Sequence, residues 1–316
     1  MNVIRRQKGL TLIELMIALT LGLFVILTAT GLLLSTKAAY LAQDQHAQVQ
    51  ETGRYAIESL SRAIRQAGYE HWNGEDMPIR RTAELGPDIM GFDAASLTRA
   101  GAGLTVAAPA TTVNGSDVLA LRFFGDGEVI VNCAGLMVAA VNKQEQAEEG
   151  RGWSIFFVAR DSGGEPELRC KYRSRNGWSA DAIARGVESF QVLYGIDANG
   201  DGWLDRFVNA SEMDALDDAM SLTGENAIAR AADKNRRTHW KKIRAIRVSL
   251  LVRSEQAARA DVPQREHHLF GGTYDRIDEK GARINERDLP QAVQKRIRKV
   301  FTQTILLRNA HGGAAS

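Results

Sequence analysis

GLTLIELMIALTLGLFVILTATGLLL, residues 9–34, decides how the rest of the chain must be arranged. From Leu10 to Leu34 its 25 residues carry one formal charge, Glu14. At about 1.5 Å per residue this block spans roughly 37 Å, more than the ~30 Å apolar thickness of a bilayer. It reads as a membrane helix. The preceding residues include Arg5, Arg6 and Lys8, which the positive-inside rule keeps in the cytoplasm. Everything after about residue 35 is therefore expected in the periplasm or outside the cell.

An ordinary secretory signal places its cleavage site after the apolar stretch. Here the order is reversed. The basic leader, residues 1–9, ends in Gly9 and the apolar block begins at once. A cut between Gly9 and Leu10 would remove the charges and leave the helix on the mature protein. Gly9, Leu10, Thr11, Leu12 and Glu14 fall in the register of the class III signal of prepilins, which this stretch resembles. The resemblance implies cleavage by prepilin peptidase and N-methylation of the new terminus at Leu10. Leu10 departs mildly from the family, whose usual first residue is Phe.

Glu14 needs a physical account. A carboxylate at mid-bilayer costs about 2.5–3.5 kcal/mol, and less near the interface. The freed amine of Leu10, on the same subunit or a neighbour, would offset that cost by pairing with it. Glu14 and Thr11 are accordingly assigned to axial register during filament assembly.

The helix is predicted to continue beyond the membrane, from residues 10–34 into an amphipathic half at 35–68. Pro78 is the first proline, and Ile57, Leu60, Ile64 and Ala67 recur at helical spacing. Arg54, Glu58, Arg62 and Arg65 occupy the rest of the wheel, and Gly68 is the expected stop. From Leu10 to Gly68 such a helix would run about 88 Å. Gly22, Gly31 and Gly53 each weaken it by about 1 kcal/mol relative to alanine.

Residues 69–316 are read as a β-rich periplasmic head. Residues 70–115, rich in Gly, Ala and Thr, read as an irregular connection. Runs of β-branched and aromatic residues predict strands at 118–124, 128–132, 136–141, 153–159, 167–173, 187–195, 243–254 and 298–309. Residues 210–240 look polar with a short helix, and 255–292 charged and loop-like. The expected fold class is α+β: a long amino-terminal helix followed by a mainly antiparallel sheet.

GVESFQVLYGIDANGDGWLDRFV, IRAIRVSLLVRS and RKVFTQTILLRN, in this order behind a class III leader, resemble the PilW family of minor pilins. The resemblance implies a low-abundance subunit of the type IV pilus that helps start assembly in a tip-located priming complex. Its expected associates are other minor pilins, the major pilin, the pilus tip adhesin and the inner-membrane assembly platform. The location implied is the inner membrane, then the pilus. A J-type minor pseudopilin of type II secretion is the runner-up, since both systems share the leader.

Within the head, Asp197, Asn199, Asp201, Trp203 and Asp205 repeat the oxygen spacing of the first half of a calcium loop. Trp203 would contribute a backbone carbonyl. Val208 stands at the twelfth position, so the bidentate glutamate of an EF-hand is missing. An Asx-rich turn between strands is the alternative reading. Cys133 and Cys170 are candidates for a disulfide in an oxidising compartment, with two unpaired buried thiols as the other possibility. Basic clusters at Arg236-Arg237, Lys241-Lys242 and Lys295 to Lys299 make a DNA-binding pilin for DNA uptake a further alternative, with solvated strand edges as the plainer reading. A net charge of +2 nevertheless argues against a dedicated nucleic-acid binder. The sequence has no P-loop, no G-x-S-x-G, no HExxH and no Rossmann glycine fingerprint. An enzyme is not expected, a membrane-anchored periplasmic hydrolase being the remote case.

Overall fold

The computed structural model describes residues 9, 11–70, 82–259, 261, 265–272, 274 and 279–309. Helix α1 (Leu12–Gln66) runs without a break through both predicted halves. Residues 12–34 are exposed throughout. There the hydroxyls of Thr20, Thr28, Thr30 and Thr36 donate to carbonyls three or four residues back, which satisfies them within an apolar surface.

From Gln45 onward one face turns inward. Gln45, Val49, Gly53, Ala56, Leu60 and Ile64 are buried, spaced by threes and fours so that they form one stripe, with Ser61 buried beside Leu60. Burying Val49, Leu60 and Ile64 contributes about 1.5–3 kcal/mol each. Gly68, at φ 67°, takes the left-handed conformation that ends the helix. Its N–H donates to the Arg122 carbonyl at 2.9 Å, which ties the helix end to the head.

Among the described residues the head contains two large antiparallel sheets and a separate two-stranded hairpin. The first is a meander of β1 (Ile89–Phe92), β2 (Val118–Phe123), β3 (Gly152–Arg160), β4 (Pro166–Ser174) and β5 (Gly177–Arg185), preceded at β3 by the one-turn helix α2 (Ala147–Gly150). The second is built from β6 (Val187–Ile196), β7 (Arg206–Val208), β8 (Ile243–Ala257) and, after the small hairpin β9 (Glu266–His268) and β10 (Arg283–Asn285), β11 (Arg296–Leu306). Its strand order is β11-β8-β6-β7. Helices α3 (Ala210–Asp218) and α4 (Ala227–Arg237) lie between β7 and β8. The buried face of α1 packs against β8 and β11. Leu60 and Ile64 share one core with Phe156 and Leu168 of the first sheet and Phe190, Val248 and Leu250 of the second.

A buried ion network pins the second sheet. Glu188 of β6 meets Arg253 of β8 at 2.7 Å and Arg298 of β11 at 2.6 Å. All three side chains are almost wholly enclosed, so removing one partner would strand a buried charge, at about 3–5 kcal/mol.

The structure corrects several sequence expectations. Residues 128–132 and 136–141 form no strands, only isolated bridges such as Val131 with Met137. Side-chain acceptors explain this. The Asp126 carboxylate takes the N–H groups of Glu128, Val129 and Ile130, and the Asn132 amide oxygen takes those of Ala134 and Leu136. Conversely, β1 lies within the supposedly irregular 70–115, whose residues 71–81 fall outside the described set. Strands β5 and β7 were not anticipated. Residues 210–240 hold two helices rather than one, and the 255–292 stretch contains the β9–β10 hairpin.

Candidate functional site

The start of α1 is a reciprocal cap. Thr11, the N-cap, has extended backbone (φ −75°, ψ 153°), and its Oγ1 accepts from the Glu14 N–H at 3.4 Å. The Glu14 carboxylate in turn accepts from the Thr11 N–H and the Thr11 hydroxyl, each at 2.8 Å. This is a capping box, T-x-x-E, which satisfies donors that an open helix start leaves orphaned. The pattern stands in the sequence as Thr11-Leu12-Ile13-Glu14. The charge of Glu14 alone does not announce this role; the four-residue spacing does. Glu14 therefore has a partner in its own chain. Leu10, with the expected methylation, and residues 1–8 of the leader lie outside the described residues; Gly9 is exposed.

Behind the cap lies a bare apolar rod. Leu12, Ile13, Leu15, Met16, Ile17 and Leu19 are each more than half exposed, as are Leu32, Leu33 and Leu34. The helix is long and apolar enough to cross a membrane. Its docked half is held to the head by polar ties as well as packing. Gln45 Oε1 accepts from the Gln256 N–H at 3.0 Å, Ser61 donates to Gln303 at 3.1 Å, and Lys299 donates to Gln50 at 2.6 Å. One molecule thus presents an exposed apolar rod continuous with the part of α1 that is packed on the head.

Cys133 and Cys170 are bonded, with Cα atoms 5.9 Å apart. The bridge fastens the irregular 124–147 excursion to β4, and the Cys133 N–H donates to Ser154 Oγ at 2.9 Å. Both cysteines line a cleft of about 440 Å³ against α1, with Tyr55, Arg62 and Gln66 on the helix side.

In the 197–205 loop the oxygens turn inward upon the backbone. Asp197 accepts from Gly200 N–H at 2.7 Å and Gly202 N–H at 2.9 Å. Asp205 takes the Ala198 N–H at 2.7 Å, and Asp201 takes the Trp203 N–H at 2.8 Å. Arg244 on β8 reaches the buried Asp197 carboxylate at 3.0 Å, which places a cation there from within the chain. That guanidinium and the backbone donors hold Asp197 below its usual carboxylate range despite burial, which works the other way. Trp203 is 77% exposed, well out of the loop's interior.

The basic clusters are spent largely inside the molecule. Arg237 pairs with Asp233 at 2.6 Å, Arg296 with Glu165 at 2.7 Å, and Arg298 with Glu188. Lys241 and Lys242 donate to the carbonyls of Ala83 and Ala198.

Comparison with known proteins agrees with this geometry at both ends of the chain. The family model of type IV pilus-assembly protein W matches residues 155–309, from within β3 to just past β11. The prokaryotic N-terminal methylation motif matches residues 4–30. A solved structure, a type IV-like pilin from Thermus thermophilus, is similar at 13% identity and a TM-score of 0.38, covering 83% of this chain and 98% of that one. No curated protein matches.

Proposed function

We propose that the chain is a member of the PilW family of prepilin-class, type IV pilin-like proteins, a minor pilin that helps initiate the type IV pilus from a tip-located priming complex. The observation that carries this reading is the exposed apolar half of α1, capped by its own Glu14 and fixed rigidly to a head by the buried half. Such a helix has two uses in sequence. It holds the subunit in the inner membrane with the head in the periplasm, and it then leaves the lipid for a bundle of like helices. Prepilin peptidase, acting between Gly9 and Leu10, supplies the amine that Glu14 would meet in the assembled filament.

The proposed role is structural rather than catalytic. Selectivity for neighbours, including other minor pilins, the major pilin, the tip adhesin and the assembly platform, resides in the head. The test is deletion of the gene, with surface pili counted and associated subunits identified by co-purification of the full-length protein. Few or no pili, restored by the wild-type chain, is the expected result. Normal piliation with defective protein secretion would instead assign the chain to type II secretion as a J-type pseudopilin.

A further inference from the structure

Away from α1, three carboxylates from distant parts of the chain converge at the junction of the two sheets. Asp93 follows β1, Asp117 precedes β2, and Glu279 belongs to the segment leading into β10. One oxygen from each lies within 4.8 Å of the other two. Asp117 is 1% exposed. Its oxygens accept from Ala94 N–H at 3.0 Å and Val192 N–H at 2.8 Å. Asp93 accepts from Ala210 N–H at 3.0 Å and Ser211 N–H at 2.7 Å, at the start of α3. Among the described residues, neither aspartate forms an ion pair with a lysine or arginine.

A second feature points into the same place. Tyr194 on β6 is 1% exposed, and its hydroxyl has no hydrogen-bond partner. Tyr194 lies two residues from Val192, whose N–H meets Asp117, and its oxygen sits against Gly91, two residues before Asp93. The backbone opposite leaves room for it: a Cβ at Gly91 would stand 1.9 Å from the Tyr194 oxygen. A buried polar group left unsatisfied is unfavourable unless something else completes it.

We propose that Asp93, Asp117 and Glu279 hold a divalent cation, with Tyr194 facing the site. All the available donors are hard oxygens, which favours calcium over the softer transition metals. Three carboxylates gathered in a poorly hydrated place repel one another, and a divalent ion removes most of that repulsion. A cation here would join β1 and β2 of the first sheet to the β9–β10 excursion of the second.

The test is calorimetric titration of calcium chloride into full-length protein, purified in detergent and stripped with EDTA. One saturable site in the roughly millimolar range or tighter is expected. Glu279→Gln, at a half-buried position where Gln keeps an oxygen for the Tyr274 hydroxyl, should weaken it at least about tenfold. Asp117→Asn should abolish it, and Asp201→Asn in the 197–205 loop should leave it unchanged. If Asp117→Asn fails to fold, Glu279→Gln alone decides the matter. Absence of saturable binding to the wild type, or binding that Asp201→Asn removes and Glu279→Gln spares, would overturn the proposal.

Discussion

The ring of Phe301 occupies the space that a side chain at position 53 would need: a Cβ on Gly53 would stand 2.2 Å from its Cε2 atom. This contact seats α1 on β11, and it explains a glycine in mid-helix that propensity alone disfavours. Gly53→Ala should gain a little helix propensity but lose more through overpacking, for a net destabilisation of about 1–2 kcal/mol. Gly53→Ala combined with Phe301→Leu should recover part of that loss. Thermal unfolding of the four proteins of this cycle, in detergent, measures the coupling; additive effects would show that the two residues do not oppose each other.

The capping box separates two roles of Glu14. Glu14→Gln keeps an oxygen acceptor for the Thr11 N–H and removes the charge, whereas Thr11→Ala keeps the charge and weakens the cap by about 1 kcal/mol. Membrane insertion should survive all these changes, Glu14→Ala included. Incorporation into pili, measured by immunoblot of sheared filaments, should fall sharply in Glu14→Gln and Glu14→Ala and only modestly in Thr11→Ala. Wild-type incorporation of Glu14→Gln would assign the residue to capping alone.

Acid sensitivity should trace to Glu165. Hydrogen bonds from Arg296 of β11 and Arg253 of β8 lower its carboxyl from an ordinary 4.5 to about 2. Folding depresses this group, so its stabilisation is complete above about pH 4.5 and fades as pH falls toward 2. The side chain is 42% exposed. Allowing for solvent screening, Glu165→Gln should cost about 1 kcal/mol at pH 7. The difference from wild type in denaturant midpoint should shrink steadily between pH 4.5 and 2.

Arg244 engages the key carboxylate of the 197–205 loop, so calcium is proposed to enter that loop only once Arg244 is removed. Arg244→Gln leaves the buried Asp197 without its cation and should lower the melting temperature by several degrees, for a loss of about 1–3 kcal/mol. Millimolar calcium should restore more of that loss than magnesium does. Asp197→Asn with Arg244→Gln should respond to calcium no more than the wild type does, which separates this loop from the Asp93–Asp117–Glu279 cluster. Equal restoration in both variants would locate the calcium effect elsewhere.

How much of this could be read from residues alone depended on how local the cause was. The anchor was legible because apolar length and a single charge determine it, and Gly68 marked its end. Strands β2, β3, β4, β6, β8 and β11 were legible as β-branched and aromatic runs. Strand β5, with Ala180, Ala182 and Ala184, is poor in such residues and forms mainly because β4 pairs with it. The false strands at 128–132 and 136–141 had the right composition, but Asp126 and Asn132 capture their backbone donors. The spacing from Asp197 to Asp205 was visible, whereas the arginine that answers it lies on another strand. Likewise nothing in the order of residues hinted that Asp93, Asp117 and Glu279 meet.

The docking of α1 on β8 and β11 also orders events in time. The early helix finds its seat on strands made near the other end of the chain, with Gln50 and Lys299 separated by 249 positions. Closing so long a loop is entropically unfavourable, and such non-local pairing is slow. As the chain is made, the amphipathic half of the helix must wait, undocked, until the last strand has emerged. Early truncations and late ones should therefore share one defect: an anchored subunit whose rod swings loose from whatever head has formed.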